Sequence, residues 1–293
     1  MRSGAVEHTG RSYRDGMPVL VTGAEAGLGA SVIDHLSRTG GELRAFLDAT
    51  TCTDDDIARV RTGGCKVAIG ELDDEGHLEA ALEQVHTVAH CWTGPLHSPA
   101  EQLEAAAALA SAALGAHVRR LIWVRDLARP EGNPYLEAGA QIAALFEDLP
   151  IETVVLSTAV RHSDDDPFTI RLAAGWLSGT PVDQATPHAP ISNDDVARAI
   201  DAADRQRGDG GELHLRLALV GPEVVPLRDV LRRLGARARR LGAPAHEAAS
   251  PEMRQPPPAW LVDWLSRPAH AVPENVDGPA IQVAQGVAHL PMS

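Results

Sequence analysis

Three glycines between a strand pattern and a helix pattern are the residues of this chain best suited to bind a ligand. The apolar run of residues 19–22 leads into Gly23, Gly27 and Gly29, after which apolar residues recur at helical spacing until Gly40. Glycine permits a tight turn and a close backbone approach, and a helix N-terminus attracts anions. This order is typical of a site for the pyrophosphate of a dinucleotide, although a turn without a ligand is the alternative. The turn residues predicted to contact the cofactor are Gly23, Glu25, Ala26, Gly27, Leu28 and Gly29.

An acidic residue follows the second predicted strand. Asp48 comes 19 residues after Gly29, where a carboxylate can accept hydrogen bonds from an adenosine ribose and would repel a 2′-phosphate. The spacing therefore favours NAD over NADP as the cofactor. Two alternatives stay open, because Asp48 can simply begin the next loop and because Arg44 is near enough in sequence to accommodate NADP.

Few side chains are suited to move protons at the predicted site. The chain has a single lysine, Lys66, and only two tyrosines, Tyr13 and Tyr135. Three of its 13 histidines leave predicted strand ends, so one of them could act as an acid or base at neutral pH, with a structural role as the alternative. These are His90, His97 and His162.

No histidine spacing predicts a metal site. His86 and His90 are four residues apart but belong to a predicted strand, where such side chains stand about 13 Å from each other. The cysteines Cys52, Cys65 and Cys91 are odd in number and form no C-x-x-C pair, which argues against a disulfide framework and a zinc ribbon.

Composition narrows the class of protein. The 293 residues are 44% hydrophobic and carry a net charge of −14, which disfavours nucleic acid as a partner. No apolar run approaches the roughly 18 to 20 residues of a membrane span, so we expect a soluble cytoplasmic protein with a small-molecule substrate, and a homodimer stays open. The arginine-rich, lysine-poor composition suggests a GC-rich bacterial genome and a role in biosynthesis.

Alternating strand and helix patterns predict an α/β fold with a doubly wound parallel sheet. We predict a disordered tail over residues 1–16, a dinucleotide-binding domain over 17–160, and a smaller substrate lobe over 161–293 interleaved with the last strands. The predicted strands of the first domain lie near 17–22, 42–47, 65–69, 86–91, 119–124 and 151–157. The predicted helices lie near 27–38, 53–61, 75–84, 99–115 and 135–147.

The glycine turn resembles the opening motif of the short-chain dehydrogenase/reductase superfamily. VLVTGAEAGLG has the TGxxxGxG spacing of its reductases, whereas the NmrA-like and extended branches favour TGxxGxxG, where this chain has Ala26. Later segments follow the order of the atypical, NmrA-like branch across nearly the whole chain from residue 17. They are LRAFLD, IGELDDEGHLEAALEQVHTVAH, ALGAHVRRLIWV, NPYLEAGAQIAALFEDLPIETVVL, ISNDDVARAI and LVGPEVVPLRDVLRRL. The resemblance implies an NAD(P)-binding Rossmann protein.

This resemblance also implies where the cofactor and substrate lie. Leu72 and Asp73, after the third strand, are expected near the adenine, although Asp73 can equally cap the next helix. The end of the fourth strand, including Cys91 and Trp92, is expected near the ribose and the nicotinamide, with core packing as the alternative for Trp92. The predicted substrate pocket consists of Trp92, Arg125, Tyr135 and His162.

The superfamily's catalytic residues transfer only in part. Its reductases use a Ser after the fifth strand and a Tyr four residues before a Lys; the Lys lowers the Tyr pKa and the Tyr passes a proton to the substrate. Here Arg125 and Asp126 stand where the Ser is expected, and Gly139 follows Tyr135 at the Lys position. Tyr135 is thus the candidate catalytic residue, with a role as an aromatic anchor of a helix start as its alternative.

Three functions agree with these observations. The first is an NAD(P)-dependent oxidoreductase with a degenerate Ser-Tyr-Lys site that acts on a small organic molecule. The second is a non-catalytic, NmrA-like sensor of the dinucleotide. The third is a non-redox biosynthetic enzyme that performs a cyclisation, dehydration or rearrangement on the same scaffold.

Overall fold

The computed structural model describes residues 17–92, 94–205, 214–241 and 256–269, together with the backbone of 282–285. The predicted tail over residues 1–16 lies outside the described residues. The strands are β1 (Val19–Thr22), β2 (Leu43–Asp48), β3 (Lys66–Gly70), β4 (Thr87–His90), β5 (Arg120–Asp126), β6 (Glu152–Thr158), β7 (Arg161–His162), β8 (Pro187–His188), β9 (Ile191–Ser192), β10 (His214–Val220), β11 (Val225–Pro226) and β12 (Gln282–Gln285). The helices are α1 (Gly27–Ser37), α2 (Asp54–Thr62), α3 (Glu75–Leu82), α4 (Pro99–Gly115), α5 (Pro134–Glu147), α6 (Pro167–Ala173), α7 (Asn193–Arg205), α8 (Leu227–Arg240) and α9 (Ala259–Leu265).

Within the described ranges, eight strands form the main sheet, in the order β12-β10-β6-β5-β4-β1-β2-β3. Every neighbouring pair in this sheet is parallel. The chain order reverses between β1 and β4, which makes their carboxyl ends the place where an open α/β sheet binds its ligand. The predicted doubly wound parallel sheet is therefore confirmed.

The strands are apolar on both faces because helices cover both sides of the sheet. Val19 and Val21 pack into one core, with helices α1 and α7, whereas Leu20 between them packs into the other, with helices α3, α4 and α5. Alternate residues of a strand point to opposite faces, so a strand buried on both sides reads as a continuous apolar run. This is why the sequence pattern located the strands of the first domain to within about two residues.

A further core lies in the C-terminal part of the chain. Helices α6, α8 and α9 contribute most of it, and the start of α5 adds Tyr135 and Leu136. Strands β10 and β12 belong instead to the main sheet. The C-terminal part is thus joined to the first domain both through the sheet and through this core, while the predicted domain boundaries stay a prediction.

Gly29 fixes the packing of helix α1 against the strand before it. A Cβ at this position would lie 2.0 Å from the carbonyl oxygen of Gly23. We expect Gly29→Ala to lower the free energy of unfolding by about 3 kcal/mol or more, because backbone must move to relieve the overlap. Urea unfolding followed by circular dichroism measures this change.

The matched control is Gly76→Ala in α3, where the added Cβ would meet only the Asp74 carboxylate, at 3.6 Å. This variant should be stabilised by about 0.5–1 kcal/mol, since alanine reduces the freedom of the unfolded chain. Equal stability of the two variants would contradict the tight turn described here.

Candidate functional site

A cavity of about 490 Å³ opens at the carboxyl ends of β1, β2, β4 and β5. Its volume lies within the range of about 300–1,000 Å³ that is usual for cofactor and small-molecule sites. We call it the central cavity. The residues that line it are Gly23, Glu25, Ala26, Gly27, Leu28, Asp48, Thr50, Thr51, Asp56, Cys91, Trp92, Gly94, Pro95, Leu96, His97, Glu101, Asp126, Arg161, Asp166, Pro167, Phe168, Arg171 and Trp264.

The glycine turn forms one end of the cavity. Gly23 and Gly27 have φ angles of +65° and +55°, in the left-handed region that favours glycine. A Cβ on Gly23 would lie 2.8 Å from the backbone N and Cα of Trp92, so the turn and the end of β4 touch through their main chains. The Thr22 hydroxyl accepts hydrogen bonds from the backbone N–H groups of Cys91 (3.2 Å) and Trp92 (3.4 Å) and holds the two segments together.

Helix α1 begins without a side-chain cap. Ala26 occupies the N-cap position and supplies no hydrogen-bonding side chain to the first turn. Arg59, from α2, instead braces the preceding turn by donating to the carbonyl oxygens of Ala24 (3.1 Å) and Glu25 (2.7 Å). The helix N-terminus therefore offers backbone N–H groups to an anion in the cavity.

The carboxylate of Asp48 is buried at the end of β2, with 4% of the residue exposed. Its Oδ1 accepts hydrogen bonds from the backbone N–H of Thr50 (2.9 Å) and from the Thr50 hydroxyl (2.8 Å). Its Oδ2 accepts one from the indole Nε1 of Trp92, at 3.0 Å. Asp48 is thus placed where the sequence spacing predicted, next to the glycine turn, and its charge is compensated by three donors.

Arg44, whose position in the sequence kept NADP possible as the cofactor, lies near the amino end of β2. Its guanidinium donates to the Glu42 carboxylate at 2.9 Å and to the carbonyl oxygens of Ala81 and Glu83 at 3.3 and 2.7 Å. These bonds hold Arg44 at the amino end of the strand, and it does not line the central cavity.

Glu25 brings a second carboxylate close to Asp48. The backbone N–H of Asp48 lies 3.5 Å from its Oε2, and the Thr51 hydroxyl lies 3.4 Å from its Oε1. Burial raises the pKa of Glu25 to about 7, and the negative charges of Asp48 and Asp56 add to this effect. The glycine-turn end of the cavity is therefore acidic.

Trp92 and His97 form an aromatic pair beside Asp48. Their ring centroids are 3.8 Å apart and the rings are inclined by 27°, so they stack. Burial lowers the pKa of His97, which keeps its ring neutral near pH 7. His90 is separate from this pair, because it is 2% exposed, does not line the cavity, and shares a 2.8 Å hydrogen bond with the Thr22 hydroxyl.

Tyr135 faces Asp126 and lines a separate, much smaller cavity rather than the central one. Its hydroxyl donates to Oδ2 of Asp126, and its ring stacks on Trp260 with the centroids 4.7 Å apart. Burial and the Asp126 charge raise the pKa of Tyr135 well above its usual value. The phenol therefore holds its proton firmly, and its predicted role as proton donor stays a prediction.

Arg161 completes the far end of the central cavity. Its Nη1 lies 3.2 Å from Oδ1 of Asp126 and donates to the Thr158 hydroxyl at 2.8 Å. The side chain is buried but lines the cavity, which makes it a fixed positive charge at the inner end. Sequence reasoning missed Arg161, and the available signal was its position three residues after the sixth strand, beside the predicted His162.

The C-terminal part supplies further cavity residues that sequence reasoning missed. Asp166 caps helix α6 and accepts a hydrogen bond from the Thr169 backbone N–H at 2.8 Å. Its Oδ1 lies 2.6 Å from the position that a Cβ on Gly27 would occupy, so the carboxylate packs against the start of α1. Phe168 and Trp264 add apolar surface beside it.

The other predicted residues lie outside the central cavity. Leu72 is buried and Asp73 is exposed, and Asp74 rather than Asp73 caps α3. Arg125 lines the small cavity with Tyr135, and burial lowers its pKa. His162 is buried in β7, where burial lowers its pKa to about 4. Their assignment to the cofactor and substrate sites stays a prediction. Cys91, by contrast, lines the central cavity, and burial raises the pKa of its thiol to about 12.

Two further properties concern metals and membranes. Among the described residues, no three His, Cys, Asp or Glu side chains come together as a metal site. Within the same ranges, every helix is too short or too polar to span a bilayer.

The fold is similar to that of solved Rossmann-type structures. Residues 17–131 match the NmrA-like family, which confirms the resemblance found in the sequence over that part of the chain. A comparison with curated proteins finds no sequence match.

Three solved structures share this fold. Triphenylmethane reductase from Citrobacter sp. has a TM-score of 0.63 at 17% identity, over 85% of this chain and 89% of that one. UDP-glucose 4-epimerase from Bifidobacterium longum, in complex with NAD⁺ and UDP, has a TM-score of 0.61 at 16% identity, over 93% and 90%. The UDP-glucose 4-epimerase from Thermus thermophilus, in complex with NAD, has a TM-score of 0.59 at 19% identity, over 78% and 85%.

The raised pKa of Glu25 predicts a pH-dependent stability. In the unfolded chain Glu25 loses its proton near pH 4.5, but in the folded chain it does so near pH 7. The folded chain holds the extra proton between these values, so its stability falls as the pH rises through this window. Glu25→Gln stays neutral, so its free energy of unfolding should rise by about 2 kcal/mol relative to that of wild type between pH 4.5 and 7. Above pH 7 this difference should not increase further.

Urea unfolding of both proteins at a series of pH values measures this difference. Glu42→Gln is the control, because Lys66 and Arg44 lower the pKa of Glu42. Removal of this carboxylate should therefore give no gain in stability relative to wild type as the pH rises. A stability difference between wild type and Glu25→Gln that does not change with pH would show that Glu25 ionises normally.

Proposed function

We propose that the chain is an NAD-dependent oxidoreductase of the short-chain dehydrogenase/reductase type that acts on a small organic molecule. The observation that carries this proposal is the extent of the central cavity. It runs from the glycine turn and Asp48 at one end to Asp126, Arg161 and Phe168 at the other. One cavity therefore offers a cofactor end and a substrate end.

The residues of the cofactor end fit a dinucleotide. The uncapped start of α1 and the positive-φ glycines would bind the pyrophosphate, and Asp48 would accept hydrogen bonds from the adenosine ribose. The bound cofactor supplies hydride transfer at its nicotinamide. Proteins of similar fold bind this cofactor, since both epimerases described above were solved in complex with NAD or NAD⁺.

The substrate end can stabilise negative charge, but among the described residues no tyrosine lines it to donate a proton. Arg161 presents a permanently charged guanidinium, which would stabilise the charge that develops on a substrate oxygen. The hydroxyl of Tyr135 is directed to Asp126 instead. We therefore propose that Arg161 polarises the substrate and that water delivers the proton, while Trp264, Phe168 and Leu96 favour an apolar or aromatic substrate.

A second candidate is a sensor that binds the dinucleotide without turnover. The arrangement of Tyr135 favours it, because the residue expected to donate the proton has a raised pKa and is held outside the central cavity. Such a protein would bind the cofactor but show no hydride transfer with any substrate. Cofactor binding is common to both candidates, so binding is the first property to test.

Cofactor preference follows from the charges near Asp48. Glu25, Asp48 and Asp56 all line the glycine-turn end and would repel the 2′-phosphate of NADP. We expect isothermal titration calorimetry to show that NAD binds at least about tenfold more tightly than NADP. Asp48→Asn should narrow this ratio, whereas Asp54→Asn, on the exposed first turn of α2, should not change it.

The result decides between clear alternatives. Binding of neither dinucleotide below about 1 mM would refute the proposed function. Tighter binding of NADP would refute the preference for NAD but keep the fold's role in binding a dinucleotide.

Turnover of a Tyr135→Phe variant tests the proton donor. With NADH and a panel of small aromatic ketones, aldehydes and quinones, we expect a rate within about twofold of wild type, not the loss of about 10²–10⁴-fold expected for a missing general acid. Tyr13→Phe, at the chain's other tyrosine, is the control. A large loss confined to Tyr135→Phe would show that the phenol takes part, and no turnover by any of the three proteins would favour the sensor.

A further inference from the structure

We infer that Trp92 and His97 form a plug over the cofactor end of the central cavity, and that NAD binds only after the Trp92 indole leaves Asp48. The inference rests on the proposed function because it concerns the same cavity. It adds a specific residue whose movement controls access to the ribose-binding carboxylate.

The hydrogen bonds that Asp48 already accepts leave little room for a ribose. A carboxylate oxygen accepts about two hydrogen bonds. Oδ1 already receives both donors of Thr50, and Oδ2 receives the Trp92 indole N–H at 3.0 Å. With 4% of the residue exposed, the remaining acceptor position cannot take the two hydroxyls of a ribose. The indole is the donor that must leave, since the Thr50 donors come from the adjoining chain.

Neighbouring side chains hold the plug in place. The His97 ring stacks on Trp92, and the buried Gln102 side chain donates to the carbonyl oxygens of Gly94 (3.3 Å) and His97 (3.0 Å). Helix α4 thereby anchors the segment that carries His97. The position of the indole over Asp48 is thus a built feature of the cavity.

The side chain of Trp92 can move, but its backbone is fixed. The backbone of Trp92 is tied to the Thr22 hydroxyl and lies against the turn at Gly23. Displacement must therefore come from rotation of the Trp92 side chain, with the main chain staying in place. The adjoining cavity of about 490 Å³ gives the indole room to rotate.

The plug lowers the apparent affinity for NAD, because only the fraction of molecules with a displaced indole can bind. A hydrogen bond to a buried charged acceptor favours the closed form, so its removal should strengthen binding about tenfold. A ligand without an adenosine does not need Asp48. Nicotinamide mononucleotide is such a ligand and should be insensitive to the plug.

The test compares Trp92→Phe, which keeps a ring but removes the N–H, with wild type and with Trp260→Phe. Trp260 stacks on Tyr135 and does not line the central cavity, so it provides a matched loss of one indole. Calorimetry with NAD⁺ should show about tenfold tighter binding to Trp92→Phe than to the other two proteins. Binding of nicotinamide mononucleotide should be the same in all three.

Tryptophan fluorescence provides a second readout that does not depend on a stable variant. When the wild-type protein is excited at long wavelength, its tryptophan emission should shift to the red on saturation with NAD⁺, because the Trp92 indole leaves its buried contact with Asp48. This shift should be absent in Trp92→Phe and retained in Trp260→Phe. His97→Ala, which removes the stacking partner, should also strengthen NAD⁺ binding, though by less than Trp92→Phe.

The outcomes separate the two proposals. Three outcomes would overturn the plug and leave the proposed function standing. They are equal NAD⁺ affinity of all proteins, weaker NAD⁺ binding to Trp92→Phe than to wild type, and saturation of wild type without a red shift of its emission. Failure of NAD⁺ to bind to any of them, including Trp92→Phe and His97→Ala, would overturn both. If nicotinamide mononucleotide binds too weakly to measure, the NAD⁺ comparison with Trp260→Phe decides alone.

Discussion

The burial of the Asp48 carboxylate is the constraint on which the site depends. A buried charge is costly unless it is hydrogen-bonded, and here three donors from two segments compensate it. To supply them, the loop after β2 must turn back at Thr50 and the end of β4 must bring Trp92 across the glycine turn. That crossing is possible only because Gly23 has no Cβ. The cavity wall, the turn and the aromatic pair are therefore consequences of one buried anion.

Charge in the cavity limits what the chain can bind. Among the described residues, six carboxylates and two guanidinium groups line the cavity. The start of α1 offers backbone N–H groups to one anionic group, and the Asp166 carboxylate lies close to Gly27 at this helix start. A dinucleotide therefore has one favourable place for its pyrophosphate, and any additional phosphate would meet acidic side chains. This argument for NAD does not depend on Asp48 alone.

The sequence predicted the sheet well and the site only in part. Strands buried on both faces are continuous apolar runs, and the turn between β1 and α1 needs glycine, so local patterns locate both. Asp48 was found because the length of one βα unit fixes its distance from the turn. Arg161, Asp166 and Trp264 were missed because they reach the cavity through folding of the C-terminal part, and no local spacing reports that arrangement. Tyr135 shows the same limit, since its burial depends on Trp260, 125 residues further along the chain.

The single lysine has a physical consequence for the chemistry. In the short-chain reductases that the sequence resembles, a lysine lowers the pKa of the tyrosine, whereas here the Tyr135 hydroxyl donates a hydrogen bond to Asp126, and burial and the Asp126 charge raise that pKa. Lys66 cannot take the missing role, because it starts β3 at the edge of the sheet and pairs with Glu42 at 2.8 Å. The guanidinium at the inner end of the cavity belongs instead to Arg161, which pairs with Asp126 and can stabilise an anion but is not suited to act as an acid. Such a site can bind and polarise a substrate oxygen, and in the proposed reaction water delivers the proton.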